Sequence, residues 1–195
     1  MILYIARHGE TDWNRTKRLQ SRSDIPLNET GFSQAKRMHH YIRCAGLNFT
    51  KAVVSPLIRA RQTAEIILGE ADIPIDFDDR LIELSFGEFE GHYEAELHDK
   101  FEETFGEWRR QCFLDAAPGG ESLDEAVDRV SSLVHEIRRT NGNCLIVAHQ
   151  AINMALMAAI SQRKDIASLL DFKQRNDQLE CWDLLRGTRI ERVKI

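Results

Sequence analysis

Three short apolar runs, each followed by a segment of helical periodicity, constrain the fold of this 195-residue chain most strongly. The runs span 2–6, 52–54 and 144–148, and the helical segment follows each run directly or after a tight turn. Strands that alternate with helices in this way form a largely parallel sheet with helices on both faces. The pattern therefore predicts an α/β fold, a three-layer αβα sandwich around a mostly parallel central sheet.

Capping residues indicate where three helices begin. Asn28 is suited to cap a helix that runs to about residue 45. Ser55-Pro56 predicts a capping serine, with proline at the first helical position, for a helix that reaches residue 68. Ser122-Leu-Asp-Glu125 is a capping box for a helix to about Thr140. These starts place one helix after the second apolar run and one before the third.

The remaining segments predict an excursion and a terminal pair of strands. The stretch 89–118 is polar, carries aromatic residues and has weak helical periodicity, so we expect a helical lid over one edge of the sheet. The runs 179–185 and 190–195 are joined across Arg186-Gly187-Thr188 and predict a C-terminal hairpin or edge strands. No repeat or low-complexity linker divides the chain, so we expect one domain over 1–195.

Composition excludes several classes of protein. A net charge of -5 argues against general nucleic-acid binding, although a few converging arginines can still attract a small anion. No apolar run approaches the roughly 20 residues that cross a bilayer, and the N-terminal run is too short for a secretory signal. The four cysteines, Cys44, Cys112, Cys144 and Cys181, are widely spaced without a C-x-x-C pair, which favours reduced thiols and a cytoplasmic protein.

Three of the predicted strand-to-helix junctions carry a candidate phosphate ligand: Arg7-His8, Arg59 and His149. Ligands of open α/β sheets bind at this carboxyl edge, where imidazole can attack a phosphoryl group and guanidinium can bind its oxygens. Arg59 and Arg61 point about 200° apart on a helix, so only Arg59, nearer the helix start, is expected in the pocket. Each residue alone could be a solvated arginine or a histidine bonded to a carbonyl. Their joint placement favours an anion site.

Five motifs follow one another along the chain: Arg7-His8-Gly9-Glu10-Thr11, Ser55-Pro56-Leu57-Ile58-Arg59-Ala60, Glu83-Leu-Ser-Phe-Gly87, Pro118-Gly-Gly120-Glu121-Ser122 and Val147-Ala148-His149. Together they cover nearly the whole chain and resemble the histidine phosphatase superfamily, also called the phosphoglycerate-mutase-like family. The resemblance implies that His8 is the nucleophile and Glu83 the general acid. It also implies that Arg7, Arg59 and His149 line the phosphate pocket.

Physical chemistry is consistent with those roles. His8 would attack through one neutral ring nitrogen while a backbone carbonyl holds the other, and Gly9 would let the chain pass close by. Glu83 would protonate the departing oxygen and then accept a proton from water, which requires a pKa raised by burial. An exposed carboxylate is the alternative for Glu83. We expect no metal or other cofactor, because two arginines in the pocket would repel a dication.

Further residues match family positions near the substrate. Asn14 is expected to support the phosphate or His8, although it could be an ordinary turn asparagine, and Gln20 and Ser21 follow in the next loop. Arg22 departs from the family pattern and would contact a second anionic group or point into solvent. Gln150 stands where many relatives have glycine, so a larger side chain is expected at the rim of the site.

The sequence predicts a phosphatase that hydrolyses a small phosphorylated metabolite through a phosphohistidine. His149-Gln150 and Cys181-Trp182 faintly resemble the α-ribazole phosphatase branch, and the short chain resembles small phosphatases of broad specificity. Phosphoglycerate mutases of the family tend to carry added segments that exclude water, which this chain is not expected to have. A mutase and a non-catalytic phosphoester-binding module are the two alternatives. The sequence leaves the leaving group and the oligomeric state open.

Overall fold

A six-stranded sheet forms the centre of the computed structural model, which describes all 195 residues. The strands are β1 (Ile2–Arg7), β2 (Lys51–Val54), β3 (Ile75–Phe77), β4 (Cys144–Ala148), β5 (Gln178–Asp183) and β6 (Thr188–Lys194). Their order across the sheet is β3-β2-β4-β1-β5-β6. The first four pair in parallel, whereas β5 runs antiparallel to β1 and β6 antiparallel to β5. The predicted α/β fold with a mostly parallel sheet is confirmed.

Helices cover both faces of this sheet. They are α1 (Asp12–Arg15), α2 (Glu29–Cys44), α3 (Ile58–Leu68), α4 (Glu94–Lys100), α5 (Glu102–Arg110), α6 (Leu123–Arg138), α7 (Gln150–Ser161) and α8 (Ile166–Phe172), with 3₁₀ turns at Asp79–Leu81 and Gly87–Phe89. Leu3 and Ile5 of β1 join the core shared with α6 and α7, while Tyr4 and Ala6 join the core shared with α2 and α3. This alternation along one strand produces the three predicted layers. None of the helices combines the length and apolar character needed to span a bilayer.

Two of the three predicted helix starts are confirmed. The Asn28 side chain accepts a hydrogen bond from the Gly31 amide, and Ser122 forms its capping box with Glu125. The predicted Ser55 cap is wrong, because α3 begins at Ile58 after Leu57 and has no side-chain cap. Ser55 directly follows β2, and its amide donates to the carbonyl of Val147 in β4. It therefore lies too early in the chain to cap α3.

The stretch 89–118 is a helical excursion, as predicted. It contains α4 and α5, and its aromatic side chains pack against one another in a buried cluster: Phe89, Phe105, Trp108 and Phe113. Arg18 Nε donates to the Gly91 carbonyl at 2.6 Å, and the Leu19 amide donates to the His92 carbonyl at 3.0 Å. These bonds join the excursion to the loop that follows α1.

The C-terminal strands also form as predicted, with β5 inside the sheet and β6 at its edge. The opposite edge strand, β3, was not predicted. It has only three residues, and all three are exposed. A strand without a buried face lacks the apolar alternation by which strands are found in a sequence.

Candidate active site

The carboxyl ends of β1, β2 and β4 bring the predicted phosphate ligands to one edge of the sheet. Arg7 pairs with Ala148, so His8 and His149 leave neighbouring strands at the same level. The His8 and His149 ring centroids are 5.1 Å apart. Val54 pairs with Val147 on the other side of β4, which brings Ser55 and the start of α3 to the same place. The expected meeting of these motifs is confirmed.

His8 presents one free ring nitrogen. Its Nδ1 lies 2.7 Å from the Gly9 carbonyl oxygen, which is the predicted hydrogen bond, and its Nε2 makes no hydrogen bond to the protein. Burial and the charges of Arg59 and Arg7 hold the pKa of His8 well below its usual value. The ring is therefore neutral at neutral pH, with Nε2 available as a nucleophile.

Gly9 permits a close backbone approach beside His8. A Cβ atom at this position would lie 2.6 Å from the Gly31 carbonyl oxygen, which belongs to the first turn of α2. The Gly9 amide donates to Thr63 Oγ1 at 2.9 Å. The motif therefore needs glycine after His8 because α2 and α3 converge on that residue.

Arg59 lies in the first turn of α3 and is almost completely buried. Its Nε donates to His149 Nδ1 at 3.1 Å, and its Nη1 and Nη2 donate to the Ser23 and Ser21 carbonyls at 2.7 Å each. Burial lowers the pKa of Arg59 to about 10, which leaves it charged at neutral pH. Arg61 is exposed and stacks on the Phe77 ring at 5.2 Å, so the predicted division between the two arginines is confirmed.

Arg7 provides the second cation beside His8. Its Nη1 donates to the Gln174 carbonyl at 3.1 Å, and its buried Nε has no hydrogen-bond partner. Burial lowers the pKa of Arg7 to about 10, so it too remains charged at neutral pH. Arg7 and Arg59 thus place two positive charges around the free nitrogen of His8 without a neutralising carboxylate bonded to either.

His149 bonds Arg59, and its hydrogen bonds differ from the one that was predicted. Because Arg59 Nε can only donate, His149 Nδ1 must accept, and the neutral ring then carries its proton on Nε2. That Nε2 lies 2.7 Å from Ser55 Oγ. Both nitrogens are engaged, so His149 has no free N–H for a phosphate oxygen, in contrast to the predicted hydrogen bond. Burial, followed by the charge of Arg59, holds the pKa of His149 well below its usual value.

The Glu83 side chain is buried against the first turn of α7, as its predicted role requires. Its carboxylate accepts from its neighbour Leu84 N at 3.1 Å and from the amides of Ile152 at 3.0 Å and Ala151 at 3.3 Å. Burial raises the pKa of Glu83 above its usual value, although these amides and Arg59 oppose the shift. A carboxyl that holds its proton to higher pH can act as an acid near neutrality.

A cavity of about 300 Å³ opens above His8. Arg7, Arg59 and Glu83 line it, as do the predicted substrate residues Asn14, Gln20 and Gln150. Three further cations reach it and were not predicted: Lys17, Arg18 and Arg109. Arg18 lies 3.9 Å from the centre of the Trp13 ring, and Arg109 pairs with Glu94 at 2.9 Å. The cavity is therefore lined by five cationic side chains and three carboxylates: Arg7, Lys17, Arg18, Arg59 and Arg109, with Glu10, Glu83 and Glu94.

Ser21 and Arg22 lie outside the cavity, which corrects their prediction as substrate ligands. The Ser21 hydroxyl donates to the Leu84 carbonyl at 2.9 Å. Arg22 Nη2 pairs with Glu121 Oε2 at 3.0 Å, so a carboxylate of the same chain is its partner, although about half of the Arg22 side chain is still exposed to solvent. The loop turns inward at Ser21, whose φ is 46°, and this turn directs both side chains toward the Glu83 segment.

Two supporting residues were missed by the sequence analysis. Asn176 Nδ2 donates to the His8 carbonyl at 2.6 Å and lines the cavity, but it lies in a loop without a recognisable pattern. Ser55 belongs to one of the family motifs, but the only role predicted for its side chain was that of a helix cap. Its position immediately after a buried strand was the signal that could have placed it in the site. The structure contains no group of three or more histidine, cysteine or carboxylate side chains arranged to hold a metal ion.

Comparison with known proteins gives relatives of two kinds. A probable phosphoglycerate mutase GpmB from Salmonella choleraesuis is 40% identical over 132 residues, covering 66% of this chain and 59% of that protein. The Escherichia coli K12 GpmB is 39% identical over 140 residues, covering 70% of this chain and 62% of its own length. This chain thus spans about three fifths of the length of these curated relatives.

Solved structures share the whole fold. The α-ribazole phosphatase from Shigella flexneri superposes with a TM-score of 0.83 at 25% identity, covering 100% of this chain and 96% of that one. A mycobacterial glucosyl-3-phosphoglycerate phosphatase in complex with VO3 has a TM-score of 0.83 at 25% identity, with coverage of 92% and 91%. The model of the histidine phosphatase superfamily (branch 1) matches residues 3–191. This chain therefore belongs to the histidine phosphatase superfamily.

Proposed function

We propose that this protein is a phosphatase that hydrolyses small phosphomonoesters through a phosphohistidine on His8. The observation that carries the proposal is the free Nε2 of a buried, neutral His8 between the charged side chains of Arg7 and Arg59. A neutral nucleophile keeps its lone pair, and two fixed cations offset the negative charge of the arriving phosphate.

The first step forms a bond from His8 Nε2 to phosphorus as the bond from phosphorus to the leaving oxygen breaks. Arg7 and Arg59 stabilise the phosphoryl oxygens, and Arg59 is held in place by His149 and two carbonyls. Glu83, which lines the same cavity, gives its proton to the leaving oxygen. The products of this step are the free alcohol and phosphohistidine.

The second step releases phosphate. A water molecule attacks the phosphohistidine while Glu83, now a carboxylate, accepts its proton. The nitrogen–phosphorus bond breaks, His8 regains its neutral ring, and Glu83 is again protonated for the next cycle. The reaction uses protein groups alone, and activity that is unchanged by a chelator is expected.

The substrate is a small phosphorylated metabolite. Lys17, Arg18 and Arg109 at the cavity suit a leaving group that carries negative charge of its own. Phosphoglycerate appears in the names of the GpmB relatives and of the mycobacterial phosphatase, and α-ribazole in that of the Shigella phosphatase. A panel of these phosphoesters and of sugar phosphates would rank the leaving groups.

Phosphohistidine formation tests the chemistry directly. Protein mixed with radiolabelled phosphoester and quenched during turnover should carry an acid-labile, alkali-stable label that is absent from His8→Ala. His135→Ala is the control, because His135 is exposed on α6 and lies outside the cavity. Full activity of His8→Ala on p-nitrophenyl phosphate would refute the proposal.

A phosphoglycerate mutase is the second candidate, favoured by the names of the GpmB relatives. It would use the same phosphohistidine but return the phosphoryl group to a second oxygen of the substrate. Mutase activity predicts exchange of 3-phosphoglycerate and 2-phosphoglycerate with little release of phosphate, whereas the phosphatase predicts net release. A protein that binds phosphoesters without forming phosphohistidine would instead be a binding module.

A further inference from the structure

The segment that carries Glu83 belongs to neither the sheet nor an α-helix, and distant side chains hold its backbone. It spans 82–86, between the two 3₁₀ turns. Its first three carbonyl oxygens accept from Arg129 at 2.9 Å, from Arg22 at 3.3 Å and from Ser21 at 2.9 Å. These side-chain bonds take the place of the regular backbone bonds that fix a strand or helix.

Glu121 connects two of these donors. Its two carboxylate oxygens accept from Arg129 Nε and Nη2 at 2.8 Å each, and Oε2 also accepts from Arg22 Nη2 at 3.0 Å. Only 14% of the Glu121 side chain and 21% of the Arg129 side chain are exposed, so solvent screens the pair weakly. A two-pronged pair of this kind fixes the direction of the guanidinium as well as its distance. We call Arg22, Glu121 and Arg129 the Glu121 clamp.

The turn before Glu121 packs directly on the same segment. A Cβ atom on Gly120 would lie 2.6 Å from the Ser85 carbonyl oxygen, and one on Gly87 would lie 2.0 Å from the Pro118 carbonyl oxygen. The Glu121 amide donates to that Ser85 carbonyl at 2.8 Å. The Pro-Gly-Gly-Glu motif therefore places its backbone against the Glu83 segment and its carboxylate between the two arginines.

We propose that Glu121 is a positioning residue, which acts through Arg129, Arg22 and its own 3.4 Å contact with the Ser85 amide to hold the Glu83 carboxyl in line with the leaving oxygen. The inference rests on the proposed function, from which the acid role of Glu83 comes. Glu121 does not line the cavity, so its effect on the reaction is indirect. A misplaced acid lowers the rate most for a leaving group that must be protonated as it departs, such as an alkoxide, and least for p-nitrophenolate.

Glu121→Gln tests the clamp without a change of size. We expect kcat/KM for an alkyl phosphate to fall about 10- to 100-fold, the range of a displacement of up to about 1 Å at the reacting groups. The value for p-nitrophenyl phosphate should change much less, so the ratio of the two substrates should change by about tenfold or more. Arg22→Ala should change the ratio in the same direction. The Arg22 side chain is about half exposed, so this variant should keep its fold.

Glu136→Gln is the matched control. Glu136 lies on α6, as Arg129 does, and pairs with both terminal nitrogens of Arg80, at 2.8 and 2.7 Å, but it does not contact 82–86. The control should leave the substrate ratio unchanged. Equal losses on both substrates in Glu121→Gln would mark general structural damage and overturn the proposal, as would a ratio no different from that of Glu136→Gln.

Amide hydrogen exchange separates this inference from the proposed function. If wild-type protein hydrolyses neither substrate, the proposed function fails. The effect of the clamp is then measured only by the exchange rates of the backbone amides in the Glu83 segment. The amides of 84–86 should then exchange faster in Glu121→Gln than in wild type, and at the wild-type rate in Glu136→Gln. Unchanged exchange in Glu121→Gln would overturn the clamp whatever reaction the protein catalyses.

Discussion

Replacement of Glu83 by glutamine should separate its chemical role from its structural one. The carboxylate accepts hydrogen bonds from three backbone amides, two of which belong to the start of α7. The carboxamide oxygen of glutamine can keep the two shorter bonds, from Leu84 and Ile152. The change also removes a carboxyl whose ionisation burial opposes. These effects act in opposite directions, so we expect the free energy of unfolding to change by less than about 1 kcal/mol.

The activity of Glu83→Gln should fall far more than its stability. General acid catalysis contributes about 10²- to 10⁴-fold, which corresponds to about 3–5 kcal/mol of transition-state stabilisation. The full loss is expected in kcat/KM for alkyl phosphates, because that parameter covers the step in which the leaving oxygen is protonated. The loss should shrink as the leaving group becomes less basic.

A series of alkyl and aryl phosphates provides the assay. A plot of log kcat/KM against leaving-group pKa should be shallow for wild type and steep for Glu83→Gln, with the two lines approaching each other at p-nitrophenyl phosphate. Parallel lines would refute the reasoning, since they would mean that Glu83 contributes equally whether or not a proton is needed. Urea unfolding of both proteins checks that the fold is kept.

Further predictions concern pH and the groups around His8. Only protonated Glu83 can act as the acid, so wild-type kcat/KM should fall as pH rises through its raised pKa, and this limb should be absent from the pH profile of Glu83→Gln. A limb that persists in the variant would come from the substrate and contradict the assignment. Arg59→Lys keeps the charge but loses the fork that bonds His149 and two carbonyls, so kcat/KM should fall about 100-fold, whereas exposed Arg61→Lys should retain wild-type activity. Ser55→Ala leaves the buried Nε2–H of His149 without its partner and should lower the free energy of unfolding by about 1–3 kcal/mol in urea titrations; an unchanged midpoint would show that the bond is dispensable.

The sequence predicted the placement of His8, Arg59, Glu83 and His149 because each belongs to a motif tied to a regular element or a buried turn. Parallel strands end at one edge, so knowledge of the strands was enough to bring His8 and His149 together. The direction of a side chain beyond that edge depends on its neighbours. His149 was predicted to donate a hydrogen bond to the phosphate. Its Nδ1 instead accepts a hydrogen bond from Arg59 Nε, which directs the ring toward Arg59.

The residues whose placement was wrong or missed are held by contacts between segments far apart in the chain. Arg22 pairs with Glu121, 99 positions later, and Asn176 reaches the His8 carbonyl across 168 positions. Neither contact follows from a local period or a capping rule, because both depend on the paths of irregular loops. A charged residue such as Arg22 is therefore easily taken for a substrate ligand when its true partner is a carboxylate of the same chain.

The site thus combines two ways of holding a functional group. His8 and His149 follow strands whose ladders fix the backbone, and Arg59 lies in the first turn of a helix, so these groups need only a few side-chain bonds. Glu83 lies on an irregular segment and depends on the Glu121 clamp for its position. Phosphoryl binding should therefore resist substitutions in the clamp, while proton donation should not. Vanadate, which resembles the phosphoryl group in transfer, should bind Glu121→Gln with nearly the wild-type Kd even where turnover of alkyl phosphates has fallen.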